Sequence, residues 1–160
     1  MKFNTEKEKL LNAVSLTSHL ATTRSTLPIL QNLYIEAKED RLLVKSTDLD
    51  QTLEVLVDGT VSEKGALTVP ARLIVEYLTN NPDSSITLES NDLDLTIQST
   101  NHKAKMKGLA AEEYPTAPAI KPTSKATLPL AALRQVITKT IFASAQDETR
   151  PVLNGLLWRF

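Results

Sequence analysis

The stretch Thr26-Leu27-Pro28-Ile29-Leu30-Gln31-Asn32-Leu33 returns 123 residues later, without a gap, as Thr149-Arg150-Pro151-Val152-Leu153-Asn154-Gly155-Leu156. The same offset pairs Leu10 with Leu133 and Val14 with Ile137. Apolar phase alone is shared by any two helix–strand units, but Thr and Pro recurring at the same two places point to a duplicated unit. A unit of about 123 residues leaves about 37 for a second copy, so the 160 residues divide into one complete domain, 1–121, and the beginning of another, 122–160. The chain closes on Trp158-Arg159-Phe160, an apolar strand with no turn after it, and reads as a fragment.

Lys2-Phe3-Asn4 predicts a short strand, and Leu10, Val14 and Leu20 recur near helical spacing in a helix near 6–21. Period-2 alternation marks strands at Leu33-Ile35-Ala37, Leu42-Val44 and Leu53-Val55-Val57. Gly65 to Val69 is a further strand, and Pro70 opens a helix near 70–79 that Asn80-Asn81-Pro82 stops. Strands at Ile86-Leu88, Leu93-Leu95-Ile97 and His102 to Gly108 complete the unit. Two amphipathic helices among many alternating strands predict an α+β fold, the helices side by side on one face of antiparallel sheet. Pro115, Pro118 and Pro122 mark residues 110–124 as an extended connection, and after it Pro129 leads a helix with the stripe Leu130, Leu133, Ile137 and Ile141.

The composition narrows the chemistry. With 41% hydrophobic residues, 18 basic against 19 acidic side chains and a net charge of −1, the chain is a globular one, able to bury roughly 70% of its unfolded surface. The absence of cysteine removes disulfide scaffolds, thiolate zinc sites and cysteine nucleophiles. His19 and His102 are the only imidazoles, too far apart in sequence for a metal-ligand pair or a serine triad, so neither metal nor cofactor is expected. Four scattered glycines make no phosphate-binding loop. The N-terminal charges precede no apolar run and no stretch approaches 18 apolar residues; a cytoplasmic protein with no membrane partner is the expectation.

Asp48/Asp50 and Asp92/Asp94 are the nearest approach to paired catalytic carboxylates, which an aspartate-dyad hydrolase would need to converge in a pocket; turn chemistry is the simpler use of both. Lys103, Lys105 and Lys107 alternate with Ala104 and Met106, three positive charges on one strand face, suited to phosphate or to guarding an exposed edge. Arg24 and Arg150 lie in polar loops that the repeat aligns, although Arg24 itself pairs with Asp147. Beyond Pro129 the outward face carries Arg134, Gln135, Thr138 and Lys139 without an acid. Residues 1–108 hold 12 basic and 15 acidic groups, and 109–160 hold 6 and 4.

Taken as an ordered series, Met1-Lys2-Phe3, Arg24 to Leu30, Ser46-Thr47-Asp48-Leu49, Thr68-Val69-Pro70-Ala71-Arg72, Tyr114-Pro115 and Asp147 to Gly155 resemble the bacterial sliding clamp, the beta subunit of DNA polymerase III, over the whole chain. That family repeats one fold three times and pairs two chains head to tail in a ring around duplex DNA. The resemblance implies a non-catalytic processivity factor that tethers DNA polymerase III and is loaded by a clamp loader. It implies DNA contacts from Arg24, Arg150, Arg134 and Lys139, and a remnant of the protein-partner pocket at Leu153. It also implies a homodimer edge formed by Arg72, Leu73, Glu76 and Tyr77 of the helix with Lys103, Lys105, Met106 and Lys107 of the strand. The alternative is a β-rich protein-interaction module that binds through an exposed edge and ignores DNA.

Overall fold

The computed structural model describes residues 1–21, 27–116, 122–123, 125–145 and 150–159. The chain divides into two compact units, Met1–Pro118 and Ala119–Phe160.

The first unit opens with β1 (Lys2–Glu6) and α1 (Lys7–Ser18). Leu10, Ala13, Val14 and Thr17 are the buried residues of α1, at spacings of three and four that place them on one face. Thr17 is admitted because its hydroxyl donates to the Ala13 carbonyl at 2.9 Å. A single 3-10 turn, Pro28–Gln31, leads into β2 (Asn32–Lys38), followed by β3 (Arg41–Thr47), β4 (Thr52–Asp58), β5 (Thr60–Glu63) and β6 (Gly65–Pro70). Helix α2 (Ala71–Asn80) buries Ala71, Ile74 and Leu78. Strands β7 (Ser85–Asn91), β8 (Asp94–Gln98) and β9 (Lys103–Lys107) close the unit.

These strands form two antiparallel sheets, in the orders β5-β1-β7-β8-β9 and β4-β3-β2-β6. Alternation predicts which face of a strand is buried but not which sheet it joins, so the sequence does not distinguish one sheet from two. In one sheet Phe3 faces Leu88, which faces Ile97; in the other Leu67 faces Ile35, which faces Val44. Both rows, with the buried faces of α1 and α2, make one continuous core, and the two helices pack beside each other as their patterning predicts. Strand β5 is the element the pattern does not announce. Its sequence is Thr-Val-Ser-Glu, and it is held by register with β1, Phe3 opposite Val61.

The sheets meet where the chain leaves β9. Gly108 donates its N–H to the Leu93 carbonyl at 2.7 Å, and Leu109 exchanges backbone hydrogen bonds with Thr68 at 3.0 Å in each direction. A Cβ on Gly108 would collide with the Thr68 carbonyl, so only glycine passes here.

The second unit contains α3 (Leu130–Thr140), followed by a 3-10 turn at Ile141–Ala143 and another at Pro151–Leu153. Shifted by 123 residues, α1 falls on the positions of α3 and the Pro28 turn on those of the Pro151 turn. Residues 125–129, the counterpart of β1, form no strand. A strand needs partners, and those of β1 are β5 and β7, for which the second unit has no counterpart among the described residues. Of the stripe predicted on α3, Leu133 and Ile137 are half-buried, whereas Leu130 and Ile141 are exposed. Among the described residues no helix is long and apolar enough to cross a membrane.

Candidate functional site

The edge of the first unit gathers the densest set of the predicted residues. Among the described residues strand β9 pairs only with β8, so along most of its length its outer backbone groups have no partner there. Lys103, Lys105 and Lys107 are exposed, and Met106 turns inward opposite Leu95. Lys105 reaches across to Asp94 at 2.8 Å, an exposed pair worth at most about 1 kcal/mol.

Beside this strand runs the exposed side of α2. Leu73, Glu76 and Tyr77 join Lys105 and Met106 around a groove of about 470 Å³, so five of the eight predicted edge residues share one concavity. Arg72, Lys103 and Lys107 lie outside it, exposed. Leu73 is 49% exposed. The Tyr77 hydroxyl is buried without a hydrogen-bond partner, the one such side-chain atom among the described residues.

Sequence reasoning missed the far wall of the groove, Asn80, Asn81 and His102, and the clip behind it. The Asp83 carboxylate accepts from the Ser99 hydroxyl at 2.7 Å, the Asn101 N–H at 3.0 Å and His102 Nδ1 at 3.1 Å. Asn81 Nδ2 donates to the Ser99 hydroxyl at 3.1 Å. The Ser99 hydroxyl first, then the Asn101 amide and His102, hold the Asp83 carboxyl well below the usual carboxylate range. The clip fastens the turn before β9 to the loop after α2. The nearest signal was the run Asn80-Asn81-Pro82, legible only as a helix stop, with Asp83 directly after it.

A second anchor lies at the exit of the unit. Tyr114 is buried, its hydroxyl accepting from the Thr47 N–H at 3.1 Å and donating to the Asn32 carbonyl at 3.3 Å. Its ring stacks at a tilt against Tyr34, 5.6 Å between centroids, with Lys45 Nζ over both rings. Burial pushes the Tyr114 hydroxyl up from its ordinary value.

In the second unit Arg134 and Lys139 occupy one exposed hollow of α3 with Leu130, Ala131, Gln135 and Thr138, and no acid stands among them. Arg150 is exposed. Leu153 lines an apolar hollow with Val136, Ala143, Leu156 and Trp158. Arg24 lies outside the described residues. The paired aspartates do not form a dyad: Asp48 caps its own turn, and Asp94 faces Lys105. Among the described residues no group of three or more His, Asp or Glu could hold a metal ion.

Comparison with known proteins places this geometry. The beta sliding clamps of Staphylococcus epidermidis and Staphylococcus aureus are each 29% identical to the chain over 167 aligned residues, covering 99% of the chain and 44% of the relative. Among solved structures, the pol III beta of Caulobacter crescentus superposes with a TM-score of 0.88 at 31% identity, covering 97% of this chain and 42% of that one. A sliding clamp from Pseudomonas aeruginosa superposes with a TM-score of 0.89 at 28% identity and the same coverage. The chain therefore spans less than half the length of these relatives. The family described as DNA polymerase III beta subunit, N-terminal domain, matches residues 1–118, more than half of the chain. The chain belongs to the DNA polymerase III beta subunit family, and its first unit is that family's N-terminal domain.

Proposed function

We propose that the chain is the N-terminal part of a replication processivity factor, a sliding clamp that encircles duplex DNA in the cytoplasm and tethers DNA polymerase III after a clamp loader has placed it. It catalyses no reaction. Residues 1–121 are its first domain and 122–160 the beginning of its second. The intact protein closes a ring as a head-to-tail homodimer.

The observation that carries this reading is the open edge of β9 beside the groove of α2. An unpaired strand that alternates lysine with inward apolar residues is wet when alone and covered when a sheet continues into another chain. Arg72, Leu73, Glu76 and Tyr77 with Lys103, Lys105, Met106 and Lys107 form that contact. DNA is held by phosphate contacts alone, from Arg24, Arg150, Arg134 and Lys139, because a ring that gripped base edges could not slide. With a net charge of −1 the attraction comes from a one-sided distribution of charge, which the excess of basic groups in residues 109–160 supports. Leu153 is the part of the protein-partner pocket that this chain contributes.

The test is charge reversal at the edge. Lys103→Glu with Lys107→Glu leaves the Lys105–Asp94 pair in place and should weaken the full-length dimer about tenfold or more in sedimentation. The melting temperature of the 160-residue chain should not change. A dimer as tight as the parent's contradicts the reading.

A further inference from the structure

Leu49, in the turn between β3 and β4, has φ 81° and is 61% exposed. Among the described residues two other non-glycine residues share positive φ, Glu39 and Asp92, but both are polar residues in two-residue hairpin loops, where such angles are required. Leu49 sits in the longer connection Asp48–Gln51, and a leucine in the left-handed region is strained where glycine or asparagine would not be.

The surrounding bonds over-determine that conformation. Thr47 Oγ1 accepts from the Leu49 N–H at 3.1 Å and donates to the Gln51 carbonyl at 2.7 Å. Asp48 Oδ1 accepts from the N–H groups of Asp50 at 3.0 Å and Gln51 at 2.7 Å. Among the described residues Leu49 takes no part in the hydrophobic core, so the strain secures no core packing there. Strain kept at an exposed apolar tip points to use by something outside the chain.

The fold places this tip. Ser46 Oγ, at the end of β3, donates to the Thr17 carbonyl in the last turn of α1 at 2.6 Å. The tip therefore stands at the end of the unit where α1 closes. Asp48 and the exposed Asp50 flank Leu49, and two carboxylates repel phosphate. The complement of an apolar knob between two acids is an apolar cleft bordered by lysine or arginine, on a protein rather than on DNA.

We propose that Leu49 is a preset docking tip that enters such a basic-rimmed apolar cleft on a protein partner. The choice of partner rests on the sliding-clamp reading, which supplies the replicative polymerase as the probe. The experiment compares full-length protein carrying Leu49→Gly, Leu49→Asn or Asp50→Lys with the parent, in binding to the polymerase III catalytic subunit of the same genome. Leu49→Gly and Leu49→Asn should melt at the parent's temperature or higher, because strain is relieved, and bind the polymerase about tenfold more weakly. Asp50→Lys should slow association at low salt and not at high salt.

A lower melting temperature for Leu49→Gly would make the leucine a packing residue and overturn the proposal. So would unchanged polymerase affinity, or a loss confined to DNA retention or to self-association. If the parent itself fails to bind polymerase, the clamp reading falls and takes this inference with it. If the parent binds and Leu49→Gly binds equally, only this inference falls.

Discussion

Tyr114→Phe removes one oxygen and asks how the chain's exit from the first unit is held. The hydroxyl satisfies two backbone groups from different strands, the Thr47 N–H at 3.1 Å and the Asn32 carbonyl at 3.3 Å. Asn32 stands opposite Pro70 in the β2–β6 pair, and proline has no N–H to offer in the hydroxyl's place. Phenylalanine keeps the ring contact with Tyr34 and the position under Lys45, so the loss isolates the hydroxyl. A buried polar group left unpaired costs about 1–3 kcal/mol, and the longer of the two bonds adds little, so the expected loss is about 2 kcal/mol. For a chain of this size that lowers the melting temperature by about 4–8 °C. Urea melts of the whole chain at pH 7 measure it directly. A second readout follows from the raised value of the Tyr114 hydroxyl, whose first cause is burial. The folded chain holds that proton to higher pH than the unfolded chain does, so its contribution is complete below the ordinary tyrosine value of about 10 and is lost as pH rises beyond it. Tyr114→Phe should flatten this alkaline decline. A variant within about 0.5 kcal/mol of the parent and with the parent's alkaline slope would refute the anchoring role.

Asp83→Asn tests the clip behind β9: its carboxyl is held low in the folded chain, so its contribution is present above the unfolded carboxylate value and lost as pH falls. The variant should melt lower at neutral pH and show a shallower acid decline, and an acid limb identical to the parent's contradicts the role. Gly108→Ala drives a methyl into the Thr68 carbonyl, a backbone atom that cannot rotate aside, and should cost about 1–3 kcal/mol or more in thermal melts. Gly155→Ala, where a Cβ meets nothing within 4 Å, is the control, and equal melting of the two variants would show that the crossing is not tight.

The sequence made legible what depends on periodicity and repetition. Leu10 with Val14, and Leu33 with Ile35 and Ala37, announce their elements because each buries one face. The offset pairing Pro28 with Pro151 reappears as two 3-10 turns. Lys103, Lys105 and Lys107 suited either phosphate or an exposed edge, and β9 lies at the edge of its sheet. What escaped depends on contacts distant in sequence. Thr60 to Glu63 carries little apolar pattern and becomes a strand only because β1 lies beside it. Asp83 carried no signal because its partners lie 16 to 19 positions away. Tyr114 was quoted only as part of a motif, since nothing local shows that its hydroxyl joins Asn32 to Thr47, 82 and 67 positions away.

A ring stays on DNA by topology and needs no strong grip on it. Full-length protein should be loaded onto nicked circular DNA and onto the same DNA cut once, and the half-life of the bound protein measured at a salt concentration that removes simple phosphate contacts. The clamp reading predicts long retention on the circle and rapid loss from the linear form, by sliding off the ends. Equal half-lives on the two would contradict it.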